Sequence, residues 1–303
     1  MAKKEQAPEK EPKAKAVSEL MRERKEKDPI AWNAVEDVIA DRPISYSSSR
    51  KFMISPWHFY EYYFGERTET DAFDVGNLFE LMLLEPDTVD DRVVIYPPYN
   101  LRKPAHRELK AEFDEQHKGK LCVKEEALED CLNMYERAIK DPEVSEWLDR
   151  FAAVQESKFF DHKATGLRSI AKIDARTSLD EATPAIIDVK TTGGTADPDK
   201  FLRSVMNYDY WLQAGIYVMA YNVKHFVWPE FYWMVFETTP PYGINIIKAD
   251  PNIIDEGKRV YDNLLKGIKF CSDAGHWDKS HKFWRLMAPY DSVRLPGWHR
   301  PRI

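Results

Sequence analysis

The stretch that most restricts what this chain can fold into is 168–192, RSIAKIDARTSLDEATPAIIDVKTT. Two segments of strand-like pattern flank a polar connection, and the second opens on an apolar run, AII, that is broken by an aspartate. Alternation along a strand puts Asp188 and Lys190 on one face and turns Val189 the other way into the core. Pairing of the two segments as a hairpin brings Asp174, late in the first, close to Asp188. An apolar strand that carries charge in its middle needs something to compensate it, because a buried carboxylate without a partner is costly.

Two carboxylates brought together in a partly buried place repel and raise each other's pKa unless a cation sits between them. A hard divalent ion bound through oxygens supplies that cation, and the Val189 carbonyl is a further oxygen within reach. Such an ion polarises a phosphodiester and lowers the pKa of a water. Lys190 beside it is placed to orient that water or to offset charge developing on the phosphate. These are the parts of phosphodiester hydrolysis. An Asp-x-Lys strand alone is more often a solvated face with a weak ion pair. Three features weigh against that here: the buried AII run, the aspartate ending the preceding strand, and a later helix with Gln213 and Tyr217 four apart on one face.

The surrounding chain supplies helices. Residues 1–28 mix Lys, Glu, Ala and Pro with few large apolar groups, which describes a disordered charged tail with at most a short helix over 17–27. Folded sequence begins near Pro43, and residues 29–303 read as a single domain. Ser47 to Ser49 read as a cap before the helix RKFMI. Ser55-Pro56 opens a second helix, WHFYEYYF. GNLFELMLL, 76–84, is a strongly apolar helix stopped at Glu85-Pro86. VVIYPP is a short strand, and 108–118 and 124–140 are helical. The segments AAVQESKFFD, LRSIAKIDARTS and PAIIDVKTT form a three-stranded meander. A long amphipathic helix over 201–221 follows, then two strands and a last helix over 253–274. That order predicts an α/β (α+β) fold with a small central mixed sheet flanked by helices.

Composition narrows the function classes. Nine tryptophans and fifteen phenylalanines are incompatible with a disordered chain. Three cysteines, Cys122, Cys131 and Cys271, make no disulfide framework, no CxxC zinc spacing and no four-cysteine iron–sulfur site. No apolar run is long enough to span a membrane, and the charged start is not a signal peptide. The expectation is a soluble, cytoplasmic protein. A net charge of −7 argues against coating nucleic acid by bulk charge but leaves room for a local basic groove.

Six segments, in order, resemble the PD-(D/E)xK nuclease superfamily and, within it, the exodeoxyribonuclease VIII (RecE-type) family of phage recombination exonucleases. They are SSSRKFMISPWHFYEYY, GNLFELMLLEP, GLRSIAKIDA, IIDVKTT, YWLQAGIYVMAY, and CSDAGHW followed by LPGW, covering roughly residues 43–299. The resemblance implies that Asp174 and Asp188 bind magnesium or manganese (Mg2+ or Mn2+) and that Lys190 is the catalytic lysine. Gln213 and Tyr217 would hold the DNA strand or the active-site water. Where the family carries a histidine as a further metal ligand, this chain has Glu80, and a glutamate there suits a hard cation better than imidazole. Glu156 matches a family glutamate. The activity implied is metal-dependent digestion of linear double-stranded DNA from its 5′ ends in a bacterial host, leaving 3′ single strands for recombination. The partners implied are double-stranded DNA ends, a RecT-type single-strand annealing protein, and further copies of the chain in a homo-oligomeric ring. Two other readings are a single-strand-specific nuclease of the same superfamily and a DNA-end binding protein with a degenerate nuclease fold. Among weaker candidates, Lys172 and Arg168 could contact phosphate from the strand before Asp174, whereas Arg102 and Lys103, in a loop that could hold DNA, read by default as a solvated charge pair. His58, His106, His162 and His225 lack ligand spacing, and Trp211, Tyr208 and Tyr210 could stack on bases but at helical spacing read as core.

Overall fold

The structure is a computed structural model that describes residues 42–65, 75–275 and 277. The expected charged leader, the short helix over 17–27 and the LPGW motif lie outside the described residues.

Ile44–Ser45 (β1) leads directly into helix α1, Tyr46–Ile54. The cap is Ser45 rather than one of Ser47 to Ser49. Its side chain accepts from the Ser48 amide while the Ser48 hydroxyl accepts from the Ser45 amide. This reciprocal capping box satisfies two orphan donors and moves the helix start upstream. Ser55 ends α1 and caps α2, Pro56–Phe64, accepting from the His58 amide with Pro56 in the first turn. Helix α3, Val75–Leu84, buries Leu78, Phe79 and every residue from Leu81 to Leu84. A 3₁₀ turn, Pro86–Thr88, and a short helix, α4, Val89–Arg92, follow. β2, Val93–Ile95, pairs in parallel with β3, Leu121–Val123, across helix α5, Pro104–Gln116. Helices α6, Glu125–Ile139, and α7, Pro142–Arg150, complete this half; α7 has no counterpart in the sequence reading.

The main sheet holds β4 (Phe151–Asp161), β5 (Arg168–Thr177), β6 (Ala185–Thr192), β7 (Glu230–Glu237) and β8 (Ile244–Lys248) together with β1. β4, β5 and β6 run antiparallel in turn, as the meander predicts, whereas β7 lies parallel to β6 and β8 antiparallel to β7. The β6–β7 crossover contains α8, Pro198–Asn207, and α9, Tyr210–His225. The single long helix expected over 201–221 is therefore two. Asp209 between them takes a left-handed backbone, φ 56°, which ends one helix and restarts the next in a new direction. The last helix, α10, is Pro251–Asp273.

Two apolar cores sandwich the sheet. One joins Ile186 and Phe231 to α1, α2, α9 and α10; the other joins Ile187, Val189 and Met234 to α3 and α6. β6 thus buries both faces, which is why its sequence reads as a continuous apolar run rather than an alternation. The architecture is a central mixed sheet flanked by helices, as expected.

Candidate active site

The β5–β6 ladder is short. Its pairs are Arg176 with Ile186 and Ala175 with Ile187, and beyond them the strands part. Further along the same edge of β5, β1 takes the place that β6 has left, pairing with Ser169 and Ile170. Asp174 and Asp188 are the next residues past the last ladder pair, so they stand in the fork. Splaying frees an amide that a ladder would have used, and Asp174 takes it: Val189 N donates to Asp174 Oδ2 at 2.9 Å.

Asp188 is fully buried. Its Oδ1 accepts from Gln213 Nε2 at 2.9 Å, and the same amide group lies 3.0 Å from the Tyr217 hydroxyl. Gln213 and Tyr217, one turn apart on α9, thus face the fork as their spacing predicts. The Lys190 ammonium lies 2.5 Å from Asp188 Oδ2 and 3.4 Å from the Val189 carbonyl. It also sits 4.9 Å from the centre of the Tyr210 ring. Val189 points to the opposite core, as alternation requires.

The electrostatics follow from this crowding. Burial and then the neighbouring Asp188 push Asp174 well above the usual carboxylate range. Burial also raises Asp188, although Lys190 opposes it. For Lys190, burial works to lower the pKa, but the Asp188 and Asp174 carboxylates outweigh it, and the ammonium form is favoured. Tyr217 is raised well above the ordinary phenol value by burial and by both aspartates, so its hydroxyl keeps its proton. The fork is a place where negative charge is confined and only partly compensated.

Glu80, half-buried on α3, accepts from Gln155 Nε2 at 2.6 Å. It lines a cavity of about 300 Å³ with Asn77, Glu85, Arg92 and Gln155. Its charge reaches Asp174 and Tyr217, raising both. Among the described residues, no three His, Cys, Asp or Glu side chains are arranged to hold a metal ion, so Glu80 does not close on the two aspartates as the side chains stand. The donor chemistry of the fork nonetheless suits a hard divalent cation. Two carboxylates and a carbonyl converge there, and the buried Gln213 Oε1 receives no hydrogen bond.

Gln155 was not singled out by the sequence. It lies on β4 between the Val154–Ala175 and Glu156–Ile173 pairs, opposite Asp174, with φ 50°. A left-handed backbone at a non-glycine residue is uncommon and clusters at functional sites. Nothing in a strand-like run, AAVQESKFF, signals it.

The remaining candidates disperse. Glu156 bridges Lys158 at 2.5 Å and Arg176 at 2.7 Å, an ion cluster beside the fork. Lys172, Arg102 and Lys103 are exposed, and Arg168 lies 5.4 Å over the Phe159 ring. His58 bonds Ser55, His106 accepts from the Asn100 amide, and His162 pairs with Asp262. His225 packs tilted against the Tyr221 ring. Trp211 packs against the core, but Tyr208 is 53% exposed and Tyr210 only half-buried, so the core assignment fails for Tyr208.

Comparison with known proteins accords with the fold. Residues 45–281 match the family described as PDDEXK-like domain of unknown function (DUF3799). Among solved structures, one from Eubacterium rectale described as a "Putative exonuclease" aligns with a TM-score of 0.55 at 12% identity, covering 89% of this chain and 96% of the other. A second, that of SSO0001, covers 63% of this chain and 84% of the other at 13% identity with a TM-score of 0.28, and bears no weight. A search of the curated proteins found no match. With more than half its length matched and the shared fold seen in a solved structure, this chain belongs to the PDDEXK-like DUF3799 family.

Proposed function

We propose that this protein is a divalent-cation-dependent exodeoxyribonuclease that hydrolyses phosphodiester bonds of linear double-stranded DNA. The observation that carries the reading is the fork, where Asp174, Asp188 and Lys190 meet under Gln213 and Tyr217. Asp174, Asp188 and the Val189 carbonyl would hold Mg2+ or Mn2+, with Glu80 as the further carboxylate on the cavity side. Such an ion, when bound, polarises the scissile phosphate and lowers the pKa of the attacking water. Lys190, kept as an ammonium, faces the charge that develops on the phosphate. Gln213 fixes the Asp188 carboxylate, and its hold on Tyr217 keeps a neutral hydroxyl at the edge of the same space. The apolar strands around the fork exclude bulk water, which strengthens each of these interactions.

Polarity from the 5′ end, 3′ single-stranded products, a homo-oligomeric ring, and a RecT-type annealing protein as partner extend the proposal through the resemblance to the exodeoxyribonuclease VIII family. A ring would gather weak DNA contacts from several acidic subunits onto one channel. The competing reading, a DNA-end binding protein, draws on the close approach of the Lys190 ammonium to Asp188, where a cation would otherwise bind.

The test is release of nucleotides from linear duplex DNA labelled at either end, with magnesium, manganese or EDTA. Metal-dependent release that is lost in Asp188→Ala and in Lys190→Ala is the expected result, and the order of label loss reports polarity. Folded wild-type protein that binds DNA ends with either metal but releases nothing removes the nuclease reading in favour of end binding. Release from single strands alone moves it to a single-strand-specific nuclease.

A further inference from the structure

Beside Lys190 the surface carries an aromatic pair that the catalytic roles leave unused. The Tyr208 and Tyr210 rings stack with centroids 5.6 Å apart and planes 29° from parallel. Tyr210 forms the inner member, facing the Lys190 ammonium at 4.9 Å, and Tyr208 the outer, with 53% of its surface exposed. In a continuous helix, residues two apart point about 200° away from each other and do not meet. They meet here because Asp209, between them, takes the left-handed conformation at φ 56°.

That backbone is held from outside. Arg50 on α1 pairs with Asp209 at 2.9 Å, and the Tyr46 hydroxyl donates to the Tyr208 carbonyl. A non-glycine residue in this region costs free energy, and two side chains from another helix are committed to maintaining it. Packing alone does not require the arrangement, since the outer ring gains little burial from it.

We propose that Tyr208 and Tyr210 form a stacking platform for an unpaired nucleobase of the strand whose phosphate is presented to Lys190. The inference rests on the nuclease reading for its substrate, and it adds a requirement: the nucleotide at the site must be unstacked from its neighbour, so the enzyme engages a frayed or single-stranded terminus. An exposed aromatic face accepts any base, because stacking depends on the π-surface and not on hydrogen-bond pattern. A base seated on the outer Tyr208 face would be separated from the ammonium that faces the phosphate by the two stacked rings. Placing the lysine at the Tyr210 face also gives that ring a cation on one edge of the stack, which favours electron-rich rings there.

The experiment uses the full chain in EDTA, so binding is read without hydrolysis, with duplex DNA whose 5′-terminal base is 2-aminopurine in an unpaired overhang. Binding of the wild type is expected to quench the 2-aminopurine emission. Tyr208→Ala should abolish the quench and weaken binding at least about fivefold, while Tyr208→Trp keeps both. On the same DNA with an abasic site in place of that base, wild type and Tyr208→Ala should bind alike. Equal weakening by Tyr208→Ala on both DNAs, or binding of wild type without any quench, overturns the platform. Quenching that persists in a protein found to release no nucleotide with metal overturns the nuclease reading and leaves the platform standing.

Discussion

Helices α9 and α10 cross at Gly215 and Gly257, and the backbones touch there. A methyl group added at Gly215 would lie 2.5 Å from the Gly257 carbonyl carbon and 2.6 Å from the Lys258 nitrogen. One added at Gly257 would lie 2.4 Å from the Trp211 carbonyl oxygen. These are backbone atoms, which have no rotamer to escape into. Non-bonded carbons settle at about 3.5 Å, so Gly215→Ala must part the two helices locally by about 1 Å. Two effects then oppose each other. Alanine in a helix interior gains about 1 kcal/mol over glycine, and overpacking costs about 1–3 kcal/mol. The expected balance is a loss of about 0–2 kcal/mol, read as a melting temperature lower by up to about 8 °C. Activity should suffer more, because Gln213 lies half a turn from the crossing and its 2.9 Å bond to Asp188 does not survive such a shift. A displacement of this size costs on the order of 10²-fold in rate. The assay is thermal unfolding followed by near-UV circular dichroism beside metal-dependent nucleotide release. Gly267→Ala is the control: its methyl meets only the Phe52 ring, at 2.8 Å, a side chain that can turn aside. A Gly215→Ala protein that melts higher and cuts as fast would refute the reasoning, since helix propensity acting alone produces that outcome.

Gln213→Ala should leave the fold intact but lower nucleotide release by about 10- to 100-fold, as loss of a group orienting a ligand does; an unchanged rate at saturating metal would count against its role. Gln155→Gly keeps the left-handed backbone at no steric cost while removing the donor to Glu80. Half-maximal release should then need more magnesium, with thermal stability nearly unchanged, and an unshifted metal titration would show that Glu80 does not take part. Glu156→Ala strands the nearly buried Lys158 and Arg176, and urea titration should show a loss of about 2–3 kcal/mol. Burial pushes the Glu156 carboxyl up, yet the hydrogen bonds from Arg176 and Lys158 hold it below its usual value. Its stabilisation is therefore present above the ordinary glutamate pKa of about 4.3 and fades as the pH falls through the lower folded value. The variant should lack that part of the acid dependence, and parallel acid limbs for the two proteins would contradict the assignment.

The relations legible in the sequence are local and periodic. Alternation on β6 places Asp188 with Lys190 and sends Val189 to the other core, and a four-residue spacing aligns Gln213 with Tyr217. Such relations need only the geometry of one strand or one helix. The nearness of Asp174 to Asp188 was legible as well, because a short connection between two strands leaves an antiparallel hairpin as the simplest arrangement. The rest came from how the elements pack. That the two aspartates stand in a fork depends on β1 displacing β6 along the edge of β5. Gln155 reaches Glu80 across 75 residues of sequence, from a backbone conformation that no local signal announces. The break at Asp209, which turns two tyrosines from opposite helix faces into one stack, is held by Arg50, 159 residues away. Contacts of that kind depend on which elements pack together, and residue type and spacing within one segment carry no record of them.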